Sequence, residues 1–430
     1  MKRNAVVAQS GGPSPVINAS LQGVVEACLD YPGEIDRVFA GRHGVEGILQ
    51  EELIDMNRQD REELGLLRTT PGSGAVGTCR YKLKDEASED FDRLLDVFQA
   101  HDVGYFFYIG GNDSMDTAQK VSHLARERGY DLIATGVPKT IDNDVGDADM
   151  DLVDHTPGYP STARYWAYIT QIADQENRGM RPSESVVVLQ AMGRSAGFIP
   201  AAARLADPDR ELPLQLYLAE TDHTLESMLE NVNRELDRSG RVIVVVSEGF
   251  NVGSLGERHD AFGHVEYGAS RSTVAQEVVN YLNDHGLHSR GQAVGQVPGI
   301  LQRSTSIFAS NVDQEEAYGV GQAAVNIAMS AGTGYMATIR RHTSVPYRSY
   351  YDKVPLSVVA NSVRHLPDSW ISPDGLDVTD EFVRYAQPLI GQVWPSIPLM
   401  EQRQRFARLN LNLEEKRLAP YVPMGLREQP

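Results

Sequence analysis

The sequence predicts an α/β fold of two Rossmann-like lobes, each a mostly parallel sheet flanked by helices, with the active site in the cleft between them and a C-terminal extension. Three observations carry this expectation. Short apolar runs alternate with helical patterns, as in parallel sheets covered by helices on both faces. Gly-rich turns follow several of the runs, where open α/β sheets place their ligands. At 430 residues the chain exceeds the roughly 250–300 at which one core stops growing.

Taken in order, a strand at 5–8 leads into Gly11-Gly12-Pro13-Ser14-Pro15 and an amphipathic helix at 16–29. A strand at 35–40 follows, and later the flexible stretch Gly72-Ser73-Gly74-Ala75-Val76-Gly77-Thr78-Cys79-Arg80. The apolar run 105–109 precedes Gly110-Gly111-Asn112-Asp113-Ser114 and a helix at 115–128. The run 132–135 precedes Pro138-Lys139-Thr140-Ile141-Asp142-Asn143-Asp144 and a helix at 161–177. Strands at 186–189, 214–218 and 242–246 then alternate with helices at 224–238 and 271–284. From Ser344 the texture changes: tyrosines cluster at 347–351, prolines recur and the alternation fades. That stretch reads as an extension wrapped on the core or on a neighbouring subunit, with a partly disordered tail at 414–430. The expected organisation is a first lobe at 1–145, a second at 146–310, a return segment at 311–343 packing on the first lobe, and the extension at 344–430.

Apolar content of 41% and charged content of 23% are ordinary for a globular protein. A net charge of −19 argues against nucleic acid or anionic membrane as partners, so an anionic substrate needs a locally positive site. Cys28 and Cys79 have no metal spacing and imply no disulfide framework. The amino terminus runs into a strand without the apolar core of a signal peptide. No apolar run approaches the ~18 residues of a membrane span, and a cytoplasmic protein is expected.

The chemistry concentrates after the strands. The Gly11–Gly12 loop could cradle a phosphate with backbone N–H groups or be an ordinary βα turn. Arg80 could grip phosphates bidentately or be a solvated surface arginine. Gly110–Gly111 allow close backbone approach at a helix amino terminus. The 138–144 loop offers one lysine and two carboxylates spaced i, i+2, the inventory for phosphate binding, metal binding and proton abstraction.

Those two loops, followed in order by Met192-Gly193-Arg194, Glu248 and Leu301-Gln302-Arg303, resemble the phosphofructokinases over about 6–341. Asp113 and Lys139 resemble the pyrophosphate-dependent branch, long bacterial type, because ATP users carry glycine at both positions. The resemblance implies that Asp142 is the proton acceptor and that Arg194 neutralises developing charge. Gly12, Arg80 and Lys139 hold pyrophosphate, and Asn112 with Asp144 hold Mg²⁺. Thr140, Ile141, Asp142, Met192, Gly193, Arg194, Glu248, Ile300, Leu301, Gln302 and Arg303 hold fructose 6-phosphate. Residues 1–145 become the donor lobe and 146–310 the sugar-phosphate lobe, in a homodimer or larger homo-oligomer. A carboxylate at Asp113 would stand where the α-phosphate of ATP lies, and at about 4 Å and an effective dielectric of about 20 the repulsion is several kcal/mol.

Three positions depart from the family pattern. Ile300 stands where many members have His or Tyr, and cannot bind phosphate through its side chain. Val294 replaces an expected arginine, with Arg290 or Arg271 as candidates for its role. Ser185 replaces an arginine often donated by a neighbouring subunit, with Arg178 or Arg181 as substitutes. The alternatives are an ATP-dependent 6-phosphofructokinase and, given the intact Asp142 less readily, a non-catalytic diphosphate- or metabolite-binding regulator on the same scaffold. NAD and lipid kinases share an acidic glycine loop but lack the Thr-Ile-Asp-Asn-Asp and Met-Gly-Arg pairing.

Overall fold

The structure is a computed structural model and describes residues 2–83, 89–256, 265–360 and 363–427. The strands are β1 Arg3–Gln9, β2 Ile35–Gly41, β3 Leu53–Asp55, β4 Val103–Gly110, β5 Ile133–Pro138, β6 Val186–Ala191, β7 Leu214–Tyr217, β8 Val242–Ser247, β9 Ala293–Gln296, β10 Tyr335–Ser344 and β11 Tyr347–Pro355. The helices are α1 Ile17–Leu29, α2 Val45–Leu49, α3 Arg61–Leu66, α4 Glu89–Ala100, α5 Asn112–Glu127, α6 Tyr159–Met180 and α7 Phe198–Ala201. They continue with α8 Leu225–Ser239, α9 Val274–His285, α10 Asn311–Ala331, α11 Leu356–Val359 and α12 Asp380–Ala386. Among the described residues no helix is long and apolar enough to cross a membrane.

The fold class is α/β, as expected. Of the two large sheets, one has the order β11-β10-β5-β4-β1-β2-β3 and the other β7-β8-β6-β9, and Leu399–Met400 and Arg403–Gln404 form a separate two-stranded ribbon. All pairings in the second are parallel, and in the first only the outer strands β3 and β11 run antiparallel to their neighbours. The central strands are buried on both faces: Val6, Val7, Phe106, Phe107, Val188 and Val244 are closed to solvent, which explains their continuous rather than alternating apolar runs. The order of strand addition reverses between β1 and β4 in the first sheet, with β2 added on one side and β5 on the other, the switch point at which such sheets leave a crevice at their strand ends.

Helix starts follow local capping. Thr224 caps α8 with a capping box to Ser227, and Thr273 accepts from the Gln276 N–H at α9. The helix anticipated at 115 begins three residues earlier, so Asn112, Asp113 and Ser114 form its first turn.

The segment beyond Ser344 differs from expectation. Tyr347–Pro355 is a strand of the first sheet, paired antiparallel with β10, rather than irregular chain laid over the core. Leu366, Val378, Phe382 and Leu389 pack into the second lobe's apolar core. The tail returns to the first lobe, where Leu413 bridges Ile54 and the Glu414 N–H donates to Leu53 O at 2.8 Å. Several of its residues are held by partners: Glu414 pairs with Arg37 at 2.6 Å, and Tyr421 donates to Asp90 at 2.7 Å.

Candidate active site

The loops after β1, β4 and β5 meet because backbone bonds tie each strand end to the next. Ser10 N–H donates to Ile109 O at 2.8 Å, and Lys139 N–H to Gly110 O at 3.0 Å. The glycine-rich 72–80 stretch is fastened alongside: Gly11 N–H donates to Cys79 O at 2.9 Å, and Thr78 Oγ1 to Gly11 O at 2.9 Å. Arg80 is thereby carried to the cleft wall. The second sheet supplies the facing wall. Met192, Gly193 and Arg194 follow β6, and Glu248 follows β8 with its N–H bonded to Ala191 O at 2.8 Å.

Between them lies a cavity of about 380 Å³ lined on one side by Gly12, Arg80, Asn112, Asp113, Lys139, Thr140, Ile141, Asp142 and Asp144. Met192, Gly193, Arg194, Glu248 and Arg303 line the other. A second cavity of about 270 Å³ shares Arg80, Met192, Arg194, Glu248 and Arg303 with it and adds Ile300 and Gln302. Gly12 lies against the arginine tips: a Cβ there would stand 2.6 Å from Arg303 Nη1 and 3.5 Å from Arg80 Nη2 and would displace them.

The charges in this cleft oppose one another at close range. Lys139 is 4% exposed and donates to Gly12 O at 2.7 Å. Burial, reinforced by Arg303 and Arg80 and opposed by Asp142, pushes it down to about 7. Burial raises Asp142 above the usual carboxylate range, against the pull of Arg194, Lys139, Arg303 and Arg80. Burial and the charge of Asp142 raise Asp144 to about 6, and the same two causes raise Glu248 to about 7. A half-buried carboxylate facing three guanidiniums and a lysine in a cleft is a functional-site signature, and it can take a proton from a bound hydroxyl while the basic side chains receive an anion.

Sixteen of the seventeen residues singled out from sequence line one cavity or the other; Leu301 lines neither and is 57% exposed. Ile300 reaches only the second cavity and is 63% exposed. Gln302 is buried with its amide committed internally: Oε1 accepts from Trp166 Nε1 and Met192 N–H, both at 3.0 Å, and Nε2 donates to Gly299 O. It holds Met192 in place. Arg178, Arg181, Arg271 and Arg290 line neither cavity, and Arg178 pairs with Asp174 at 2.8 Å.

Asp113 differs from expectation in its electrostatics. Lys82 Nζ lies 2.8 Å from its Oδ1, so the carboxylate is part of an ion pair and not a bare negative charge. Lys82 stands two residues after Arg80, and no local pattern marked it as the partner of Asp113. The contribution of the C-terminal segment, Val363 on the cleft wall, had no sequence signal.

Magnesium can be tested against the donor set. No cluster of three or more His, Cys, Asp or Glu among the described residues could hold a metal alone. Mg²⁺ at phosphoryl-transfer sites needs only one or two protein oxygens plus phosphates and water. Asn112 Oδ1 is buried without a partner, while Asn112 Nδ2 donates to Asp144 Oδ2 at 3.3 Å. An orphaned amide oxygen beside a carboxylate fits such an ion.

A family model described as Phosphofructokinase matches residues 4–328. A pyrophosphate–fructose 6-phosphate 1-phosphotransferase of Methylococcus capsulatus is 41% identical over 404 residues, covering 91% of this chain and 93% of that one. One of the same name from Halomonas elongata is 38% identical over 430 residues, covering 98% and 99%. The crystal structure of a pyrophosphate-dependent phosphofructokinase from Marinobacter aquaeolei superposes with a TM-score of 0.87 at 37% identity, covering 98% of this chain and all of that one.

Proposed function

The chain belongs to the phosphofructokinase family, and from that premise we propose that it catalyses reversible phosphoryl transfer from pyrophosphate to the 1-hydroxyl of fructose 6-phosphate. The products are fructose 1,6-bisphosphate and phosphate. The observation that carries this reading is the Asp142 carboxylate, half-buried in the cleft opposite Arg194, Lys139, Arg303 and Arg80.

Asp142 takes the proton of the 1-hydroxyl as its oxygen attacks the nearer phosphorus. The bridging P–O bond breaks, and the distal phosphate leaves with the bond pair. Lys139, Arg80 and the Gly12 loop hold the donor, and Arg194 faces the charge that spreads over the transferring group. Glu248 and Met192 orient the sugar, with Arg303 between the two cavities. Asn112 and Asp144 would hold Mg²⁺, which would neutralise charge on the phosphates. Thr140 Oγ1 accepts from the Asp142 N–H at 3.1 Å and steadies the base.

ATP is excluded at Asp113 by bulk more than by charge, because Lys82 pairs with that carboxylate. The protein acts in the cytoplasm as a closed homodimer or larger homo-oligomer. Support comes from the second cavity, whose lining cations among the described residues, Arg80, Arg194 and Arg303, all belong to the cleft as well, which leaves charge for the 6-phosphate to come from a neighbouring subunit.

Incubating the protein with pyrophosphate, fructose 6-phosphate and Mg²⁺ and following phosphorus NMR tests the reading. The expected result is a new sugar phosphomonoester at C1 and inorganic phosphate in equal amounts, with turnover lowered about 10²–10⁴-fold in Asp142→Ala. Hydrolysis of pyrophosphate without sugar phosphorylation would overturn it.

A further inference from the structure

Asp142 and Asp144 both face the cleft, and the residue between them makes that possible. Asn143 has a φ of 59°, in the left-handed region that asparagine tolerates better than most residues. It is fully buried and its side chain is held among interior partners. Its Oδ1 accepts from Arg364 Nη2 at 2.8 Å and from the Thr156 N–H at 3.1 Å. Its Nδ2 donates to the Tyr385 hydroxyl at 2.9 Å, and that hydroxyl donates to Asp154 O at 2.9 Å.

Arg364 does more than hold this side chain. Its Nε donates to the Asn143 carbonyl at 3.0 Å, its Nη1 to Val153 O at 2.5 Å, and its backbone N–H to Asp144 O at 2.8 Å. It is 1% exposed. No carboxylate is among these partners, so the guanidinium is spent on backbone and amide oxygens of the loop that carries the two acids. Both Arg364 and Tyr385 lie beyond the 4–328 stretch that matches the family model.

We propose that Arg364 is a positioning residue for the reaction. Its guanidinium holds Asn143 left-handed and so sets where the carboxylates of Asp142 and Asp144 stand. The C-terminal segment is then part of the catalytic apparatus without touching substrate. The proposal rests on the reading of Asp142 as the base. A misplacement of about 1 Å in a reacting group costs on the order of 10²-fold in rate, while binding made by Arg80, Arg303 and Glu248 is left in place.

The test compares Arg364→Ala and Arg364→Lys with the unaltered protein. The expected result is a fall in kcat on the order of 10²-fold for Arg364→Ala, with KM for both substrates within about twofold. Added guanidinium, at concentrations that leave the unaltered protein and Asp142→Ala unchanged, should restore part of that kcat. Arg364→Lys, which cannot bridge the same oxygens, should also lose kcat, and it serves if the alanine variant does not fold. Amide hydrogen exchange should quicken at 142–146 in both variants. Loss of thermal stability with kcat unchanged, or a loss that guanidinium leaves untouched while exchange at 142–146 stays as before, would overturn the proposal. If the unaltered protein shows no phosphotransfer, the functional reading fails, and exchange at 142–146 still decides whether Arg364 holds the loop.

Discussion

Lys139 gives the donor side of the cleft a charge that depends on its occupant. Buried beneath the Gly12 carbonyl with Arg303 and Arg80 nearby, it is pushed down to about 7, so near neutral pH a large fraction of it is uncharged. A pyrophosphate anion reverses that balance, because a nearby opposite charge favours the protonated lysine. Binding of pyrophosphate at a pH above 7 should therefore be accompanied by proton uptake. Calorimetric titration in buffers of different ionisation enthalpy measures it, and Lys139→Met should show markedly less. Equal uptake in both proteins would place the proton elsewhere. The gathering of these side chains was legible in sequence, since Asp142, Asp144, Lys139 and Asp113 share two short loops that line one cavity. What escaped was pairing across distance. Lys82 reaches Asp113 over 31 positions and Arg364 reaches Asn143 over 221, and no local pattern records either.

Elements were legible where they are buried on both faces and hard to read where they are not. The runs that became β1, β4, β5, β6 and β8 are continuously apolar because helices cover both sides. By contrast, β11 is an edge strand in which Val354 alone is buried, so it presents tyrosines and charges where a strand signal would be. The tail carries almost no apolar signal because polar anchors hold it. Glu51, 1% exposed, accepts from the N–H groups of Arg417 at 2.8 Å and Leu418 at 3.1 Å. It also pairs with His101 at 2.8 Å and Arg93 at 3.3 Å. Replacing one partner of such a buried cluster strands the others. Glu51→Ala should lower unfolding free energy by about 3 kcal/mol, read as an earlier urea midpoint at unchanged slope, and should loosen 413–427 to hydrogen exchange. A midpoint that does not move would show that the tail is held by its apolar contacts alone.

At the scale of the whole molecule a buried ionic network ties the segment before α6 to α10, β10 and β11. His155 bonds Asp154 at 2.7 Å and Glu316 at 2.8 Å; Arg341 pairs with Asp154 at 2.9 Å, and Tyr347 donates to Glu316 at 2.7 Å. Burial opposes charge on His155, but Glu316 and Asp154 outweigh it and raise the imidazole to about 9 from an ordinary 6.5. A raised folded value means that the protonated form stabilises the fold. That contribution is complete below about 6.5 and is lost as pH rises through about 9. The melting temperature should accordingly fall across this window, and more steeply than in His155→Gln; parallel profiles would remove the network from that role. The central claim, however, concerns the donor. The most direct measurement is kcat/KM for pyrophosphate and for ATP in the unaltered protein, Asp113→Gly, Lys139→Gly and the double variant. The unaltered protein should use pyrophosphate with little or no ATP activity. Asp113→Gly should admit ATP, and Lys139→Gly should cripple pyrophosphate use without creating ATP use. The double variant should shift preference non-additively, since both residues address one ligand. A preference for ATP in the unaltered protein would contradict the account.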